Sequence, residues 1–136
     1  MLAQSFKTAD DLGISKVEQE ALIKVLGMLE RGDLIDVSFG TECDNGFNMG
    51  TSGEGCGTPA CIGGWAANLM GISQLDYLNR YSYSKSYRNP ALYELFWNET
   101  ACETAKAADA ATALRSYLTT GEARWDLVLC PQETAL

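Results

Sequence analysis

The sequence predicts a mainly α-helical fold, a single-domain helical bundle over residues 1–136 with a long glycine-rich loop. Three observations predict it: apolar residues recur at helical spacing in several segments, capping residues precede those segments, and glycines follow them. With 136 residues and 46% hydrophobic content, the chain is long enough to bury one core. The sequence also permits a small two-stranded element, and its presence would make the fold α+β.

The first long helix is predicted by Ser15-Lys16-Val17-Glu18, which has the pattern of a capping box. Gly32 supplies the expected end of the helix. We interpret this helix as core scaffolding without a catalytic group. The apolar residues that recur at helical spacing along it are Val17, Ala21, Leu22, Val25, Met28 and Leu29.

The segment from Leu34 to Gly57 has a different pattern of short apolar islands. Leu34-Ile35-x-Val37-x-Phe39 alternates in a way that permits a short strand. The rest is rich in glycine and predicts a long irregular loop, and loops of this length are usually functional or mobile.

A central helix is predicted directly after that loop. Thr58 is a good N-cap, and Pro59 is favoured at the first helical position because it lacks an N–H. We expect the helix to run from Pro59 to Met70 and to end at Gly71. Cys61 would then lie in its first turn, where the helix dipole favours a thiolate.

Two adjacent glycines in this helix predict a close approach by a neighbouring group. Gly63 and Gly64 each cost about 1 kcal/mol relative to alanine in a helix interior. Because such a cost is rarely kept without a reason, we expect a backbone, an aromatic ring or a ligand against the face formed by Gly63, Gly64 and Ala67, beneath Trp65.

Three further segments complete the predicted bundle. Ser73 caps a short helical piece through Leu78, and Asn89-Pro90 starts a helix that offers several large apolar side chains. An alanine-rich helix is expected after Thr104, ending near Gly121. The residues expected to fold back on the core after it are Trp125, Leu127, Val128 and Leu129.

Composition excludes several classes of function. The chain contains no histidine, which removes Ser-His and Cys-His nucleophilic catalysis and the commonest metal ligand. The absence of histidine favours a non-enzymatic protein and leaves a weak cysteine-dependent activity open as the alternative. A formal charge of −8 argues against broad nucleic-acid binding, since that depends on lysine and arginine. The charge is uneven, −6 over residues 1–55 and −2 over residues 56–136.

The first residues lack the pattern of a signal peptide, and no apolar run reaches the roughly 20 residues that span a membrane. Together with five cysteines, an odd number, this predicts a cytoplasmic protein with reduced thiols and no membrane association. The cysteine spacing fits zinc motifs poorly, so we predict neither a metal nor a cofactor. The cysteines weighed as ligands are Cys43, Cys56, Cys61 and Cys102.

Two stretches are candidate contact surfaces. An acidic group in the first half could attract a basic partner protein, or could serve solubility alone. Its members are Asp33, Asp36, Glu42 and Asp44. In the second stretch, tyrosine rings alternate with lysine and arginine side chains. This pattern occurs at protein–protein hot spots and on surfaces that stack nucleic-acid bases. It equally fits an edge strand whose tyrosine rings cover the core. Its members are Arg80, Tyr81, Tyr83, Lys85, Tyr87 and Arg88.

The junction between the loop and the central helix is the alternative site. A thiol at a helix start could support a weak cysteine-dependent activity or sit beside a small ligand or nucleotide, and a buried small thiol is the competing interpretation. Glu54 and Pro59 oppose a phosphate site, because one repels anions and the other removes an amide. The junction residues are Cys56, Gly57, Thr58, Cys61, Gly64 and Trp65.

These motifs also carry a resemblance. Phe47-Asn48-Met49, Cys56-Gly57-Thr58-Pro59-Ala60-Cys61-Ile62-Gly63-Gly64-Trp65, and Gly121 followed by Trp125 resemble the signature of a small protein family encoded by phages and other mobile elements. That signature is similar to Phe-Asp-Met, Cys-Gly-Thr-x-x-Cys-Ile-Ala-Gly-Trp and Gly-x-x-x-Trp; Asn48 and Gly63 depart from it. The resemblance implies a phage setting, and it leads us to expect an accessory protein that binds and inhibits a host factor, such as an anti-CRISPR-like anti-defence protein.

Overall fold

The computed structural model describes residues 6–36, 46–47, 61–81, 89–97 and 105–128. Within them the protein is mainly α-helical, as predicted, and the small two-stranded element is also present. The elements in chain order are α1 (Ala9–Leu12), α2 (Lys16–Arg31), β1 (Ile35–Asp36), β2 (Gly46–Phe47), α3 (Ile62–Met70), α4 (Gln74–Arg80), α5 (Pro90–Trp97), α6 (Ala107–Thr120) and a 3₁₀ helix (Trp125–Leu127).

Helix α2 forms as its capping signals predict. The Ser15 hydroxyl accepts from the Glu18 amide at 3.1 Å, and the Glu18 carboxylate accepts from the Ser15 amide at 2.8 Å. Gly32 ends the helix in the left-handed region, at φ 77°. One assignment to its apolar face is wrong, because Val17 is 58% exposed; it lies in the first turn, on the solvent side of Glu18.

Helix α3 begins three residues later than predicted. Its N-cap is Cys61, with Ile62 as the first helical residue, so the predicted start at Thr58 and Pro59 is wrong. The predicted end at Met70 is confirmed, and Gly71 adopts the left-handed conformation at φ 73°. Thr58 and Pro59 themselves lie outside the described residues.

The remaining helices follow their caps with small shifts. The Ser73 hydroxyl caps α4, which continues two residues past the predicted Leu78. Asn89 and Pro90 open α5 as expected. Helix α6 runs from Ala107 to Thr120, with Gly121 as its C-cap. Residues 9–12, which carried no helix prediction, form α1.

The core lies between α2, α3 and α6. Helix α2 packs against both of the others, and α4 packs against α3. Gly63 explains the contact between α3 and α4, because a Cβ atom there would lie 2.3 Å from Leu78 Cδ2 and 3.4 Å from Phe96 Cγ. The close approach predicted from the glycine pair is therefore confirmed at Gly63, and Ala67 is fully buried beside it.

The three tryptophans fasten separate elements together through their indole N–H groups. Trp65 of α3 donates to the Gly46 carbonyl of β2 at 3.0 Å. Trp97 donates to Leu78 O, and Trp125 donates to Glu94 O, each at 3.1 Å. These bonds join α3 to β2, α5 to α4, and the 3₁₀ helix to α5.

The strands and the last turn complete the architecture. Strands β1 and β2 pair in parallel, with Ile35 opposite Gly46. Trp125 is buried on the core as predicted, but the same expectation for Leu127 is wrong. Leu127 is 58% exposed, and Trp125 is the buried residue of the short 3₁₀ helix. Val128 is half-buried, and Leu129 lies outside the described residues.

Candidate functional site

Three large apolar side chains are exposed together at the corner between α3 and α4. Leu69, Ile72 and Leu75 are 41%, 38% and 47% exposed and lie within seven residues of one another. We call these three residues the corner patch. Monomeric proteins usually keep such groups apart or covered, and grouped exposure marks surfaces that contact a partner.

A tight turn builds the corner patch. The Gly71 amide donates to carbonyls of the last turn of α3, and the Ile72 amide donates to Ala67 O at 3.1 Å. Ser73 then caps α4 by accepting from the Asp76 amide at 3.1 Å. These bonds fix the direction of both helices, so the patch is held on an ordered backbone.

The opposite face of α4 is buried in the core. Tyr77, Leu78 and Tyr81 are at most 5% exposed. The rings of Tyr77, Tyr81 and Phe96 pack with centroids 5.6 to 6.1 Å apart in tilted or edge-on arrangements. Since tilted and edge-on pairs are favourable, this packing anchors α4 through its inner face.

A buried carboxylate lies at the end of α4. Glu18 is 5% exposed, and its Oε2 accepts from the Tyr81 hydroxyl at 2.8 Å. Arg80 lies 3.9 Å from the same oxygen, and its guanidinium sits 5.3 Å from the Tyr77 ring centroid. We call Glu18, Tyr77, Arg80 and Tyr81 the polar cluster. It joins the start of α2 to the end of α4.

Tyr77 differs from its neighbours in the polar cluster, because its fully buried hydroxyl has no hydrogen-bond partner among the described residues. Burial, with the negative charge of Glu18, raises the pKa of Tyr77 far above its ordinary value. Burial and the hydrogen bond to Glu18 raise the pKa of Tyr81 to about 12. These phenols are therefore neutral donors at physiological pH, and none of them is a ready nucleophile or base.

Asn89 extends the hydrogen bonding beside the cluster. Its Oδ1 accepts from the Leu92 amide at 3.1 Å, and its Nδ2 donates to Leu12 O at the same distance. Tyr117 donates to that carbonyl at 3.5 Å. Both side chains are buried, and they fasten α1, α5 and α6 together. This part of the network is structural.

The loop–helix junction is sealed where the structure describes it. The Cys61 sulfur is a capping acceptor, 3.3 Å from the Gly64 amide, and Cys61 is 4% exposed. Gly64 is buried, and Trp65 is 7% exposed. The expectation that Cys61 lies within the first turn is wrong, because it precedes the helix. Cys56, Gly57 and Thr58 lie outside the described residues.

The predicted acidic surface is described in part. Asp33 is exposed and pairs with Arg31 at 2.9 Å, and Asp36 lies in β1. Glu42 and Asp44 lie outside the described residues.

The predicted ring-and-cation stretch is described only at its start. Arg80 is partly exposed, and Tyr81 is buried with its hydroxyl on Glu18. A buried Tyr81 ring agrees with the interpretation in which the rings of this stretch cover the core. The members outside the described residues are Tyr83, Lys85, Tyr87 and Arg88.

The arginines in the described ranges pair with carboxylates of the same chain. Each of the four arginines there lies within 4 Å of a carboxylate. A free phosphate-binding row of arginines is therefore absent from the part of the chain that the structure describes. The pairs are Arg31–Asp33, Arg80–Glu18, Arg115–Glu30 and Arg124–Asp126.

A shallow groove of about 470 Å³ lies where α1 and α2 begin. Its lining combines apolar side chains with two lysines and one aspartate of opposite charge. It has no single charge that would select a ligand. The lining residues are Phe6, Lys7, Thr8, Ala9, Asp10, Ile14, Ser15, Lys16 and Gln19.

The described ranges contain neither a metal-binding cluster nor a membrane-spanning helix. No group of three or more cysteine, aspartate or glutamate side chains is placed to hold a metal ion there. None of the helices described there combines the length and apolar character needed to cross a bilayer. Comparisons with protein-family models, curated protein sequences and solved structures gave no match to this chain.

Sequence reasoning missed both features that dominate this region. Glu18 lies four and seven residues before Leu22 and Val25, so helical spacing alone places it on the buried face. The corner patch had a weaker signal. Leu69, Ile72 and Leu75 are spaced by three residues around a glycine turn, but exposure depends on which face of each helix meets the core.

Proposed function

We propose that this protein is a non-enzymatic binding protein that docks on a host protein through the corner patch and inhibits it. The observation that carries the proposal is the joint exposure of Leu69, Ile72 and Leu75 on an otherwise well-packed helix pair. Contiguous exposed apolar patches mark surfaces that contact other proteins, where they are buried on binding.

Two further observations support a binding role over catalysis. The chain has no histidine, and the tyrosines of the polar cluster have raised pKa values that oppose their ionisation. The buried carboxylate, Glu18, is occupied by a backbone amide and by Tyr81. These groups have structural partners, whereas the corner patch has none among the described residues.

The resemblance to phage-encoded proteins supplies the proposed setting. In that setting the partner is a protein of the infected cell, including a component of an antiviral defence system. A small acidic protein suits this role, because it reaches a basic partner quickly by electrostatic attraction. We propose the host cytoplasm as the place of action.

The test is quantitative capture of partners from host lysate. We compare the wild-type chain with Leu69→Ser/Ile72→Ser/Leu75→Ser. The matched control is Val17→Ser/Leu127→Ser, which changes two apolar residues that are each 58% exposed but lie far from the corner in the sequence. We expect the triple variant to lose its specific partner while the control retains it.

Inhibition is tested on the captured protein after purification. The wild-type chain should reduce the activity of that protein in a saturable way, and the triple variant should not. Equal capture by the triple variant, with its fold confirmed by circular dichroism, would contradict docking at the corner. A partner that binds at the corner without losing activity would contradict inhibition.

A further inference from the structure

We draw no further inference here: the strongest candidate, the apolar corner patch between α3 and α4, is exposed at Leu69, Ile72 and Leu75, and nothing in the structure shows what covers it.

Discussion

The polar cluster and the corner patch invert the usual placement of side chains on the two faces of α4. The Glu18 carboxylate of α2 is buried against the inner face of α4, whereas Leu69, Ile72 and Leu75 are partly exposed at the outer corner between α3 and α4. Glu18 is stabilised there by a backbone amide and a tyrosine hydroxyl. The corner has no comparable partner among the described residues. The first region is held together by hydrogen bonds within the chain, and the second is the surface through which we propose that the protein binds.

Removing the buried carboxylate should have the largest effect. Glu18→Ala deletes half of the capping box and leaves the buried Tyr81 hydroxyl without its acceptor. We expect a loss of about 2 to 4 kcal/mol in the free energy of unfolding. Glu20→Ala, at an exposed position of the same helix, should change it by less than about 0.5 kcal/mol. Urea denaturation measures both, and equal effects would show that Glu18 is not the centre of the cluster.

Adding a side chain at Gly63 should have the next largest effect on the free energy of unfolding. Alanine gains about 1 kcal/mol in helix propensity, but its Cβ would clash with Leu78 Cδ2 across the contact between α3 and α4. We expect a net loss of about 1 to 3 kcal/mol. Gly27→Ala is the matched control, since its Cβ would meet only the mobile end of Arg31. It should be neutral or stabilise by up to about 1 kcal/mol; thermal melts that reverse this order would contradict the packing described here.

Removing the hydroxyl group from Tyr81 and from Tyr77 should change the free energy of unfolding in opposite directions. Tyr81→Phe removes a hydrogen bond to Glu18 and should cost about 1 to 2 kcal/mol. Tyr77→Phe removes a buried hydroxyl that has no described partner, and it should be neutral or stabilise by up to about 1 kcal/mol. Both are measured by chemical denaturation. A loss above 1 kcal/mol in Tyr77→Phe would show that its hydroxyl is partnered.

Alkaline pH should destabilise the protein through its buried tyrosines, two in the polar cluster and Tyr117 beside it. Burial raises the pKa of Tyr81 from about 10 to about 12, and it also raises the pKa values of Tyr77 and Tyr117. The stability that these neutral phenols contribute is therefore complete below pH 10 and is lost as pH rises through 12. Absorbance at 295 nm should show the buried phenols ionising together with unfolding. Ionisation of all tyrosines at pH 10 in a folded protein would contradict their burial.

Local signals explain how much of the fold the sequence could predict. Ser15, Ser73 and Asn89 mark helix starts because their side chains accept hydrogen bonds from amides only three residues away. Gly71 and Gly121 mark helix ends because they adopt the left-handed conformation. The start of α3 was misplaced because Thr58-Pro59 is an equally good local signal, while Cys61 provides the cap that forms.

Exposure was harder to predict, because it depends on contacts between distant residues. Val17 and Leu127 have the periodicity of core residues and yet lie in solvent. Glutamate is usually a surface residue. Glu18 is buried here because the hydroxyl of Tyr81, 63 residues away in the sequence, donates a hydrogen bond to its carboxylate. The corner patch is recognisable only once Tyr77 and Leu78 are seen to occupy the inner face of α4.

The variant that tests the proposed function most directly is Leu69→Ser/Ile72→Ser/Leu75→Ser. Its side chains are already partly in water, so we expect the free energy of unfolding to change by less than about 0.5 kcal/mol for each substitution. The decisive measurement is its stability together with its affinity for the partner captured by the wild-type chain. The account predicts a near-native melting curve with lost binding; retained binding by the folded triple variant would contradict it.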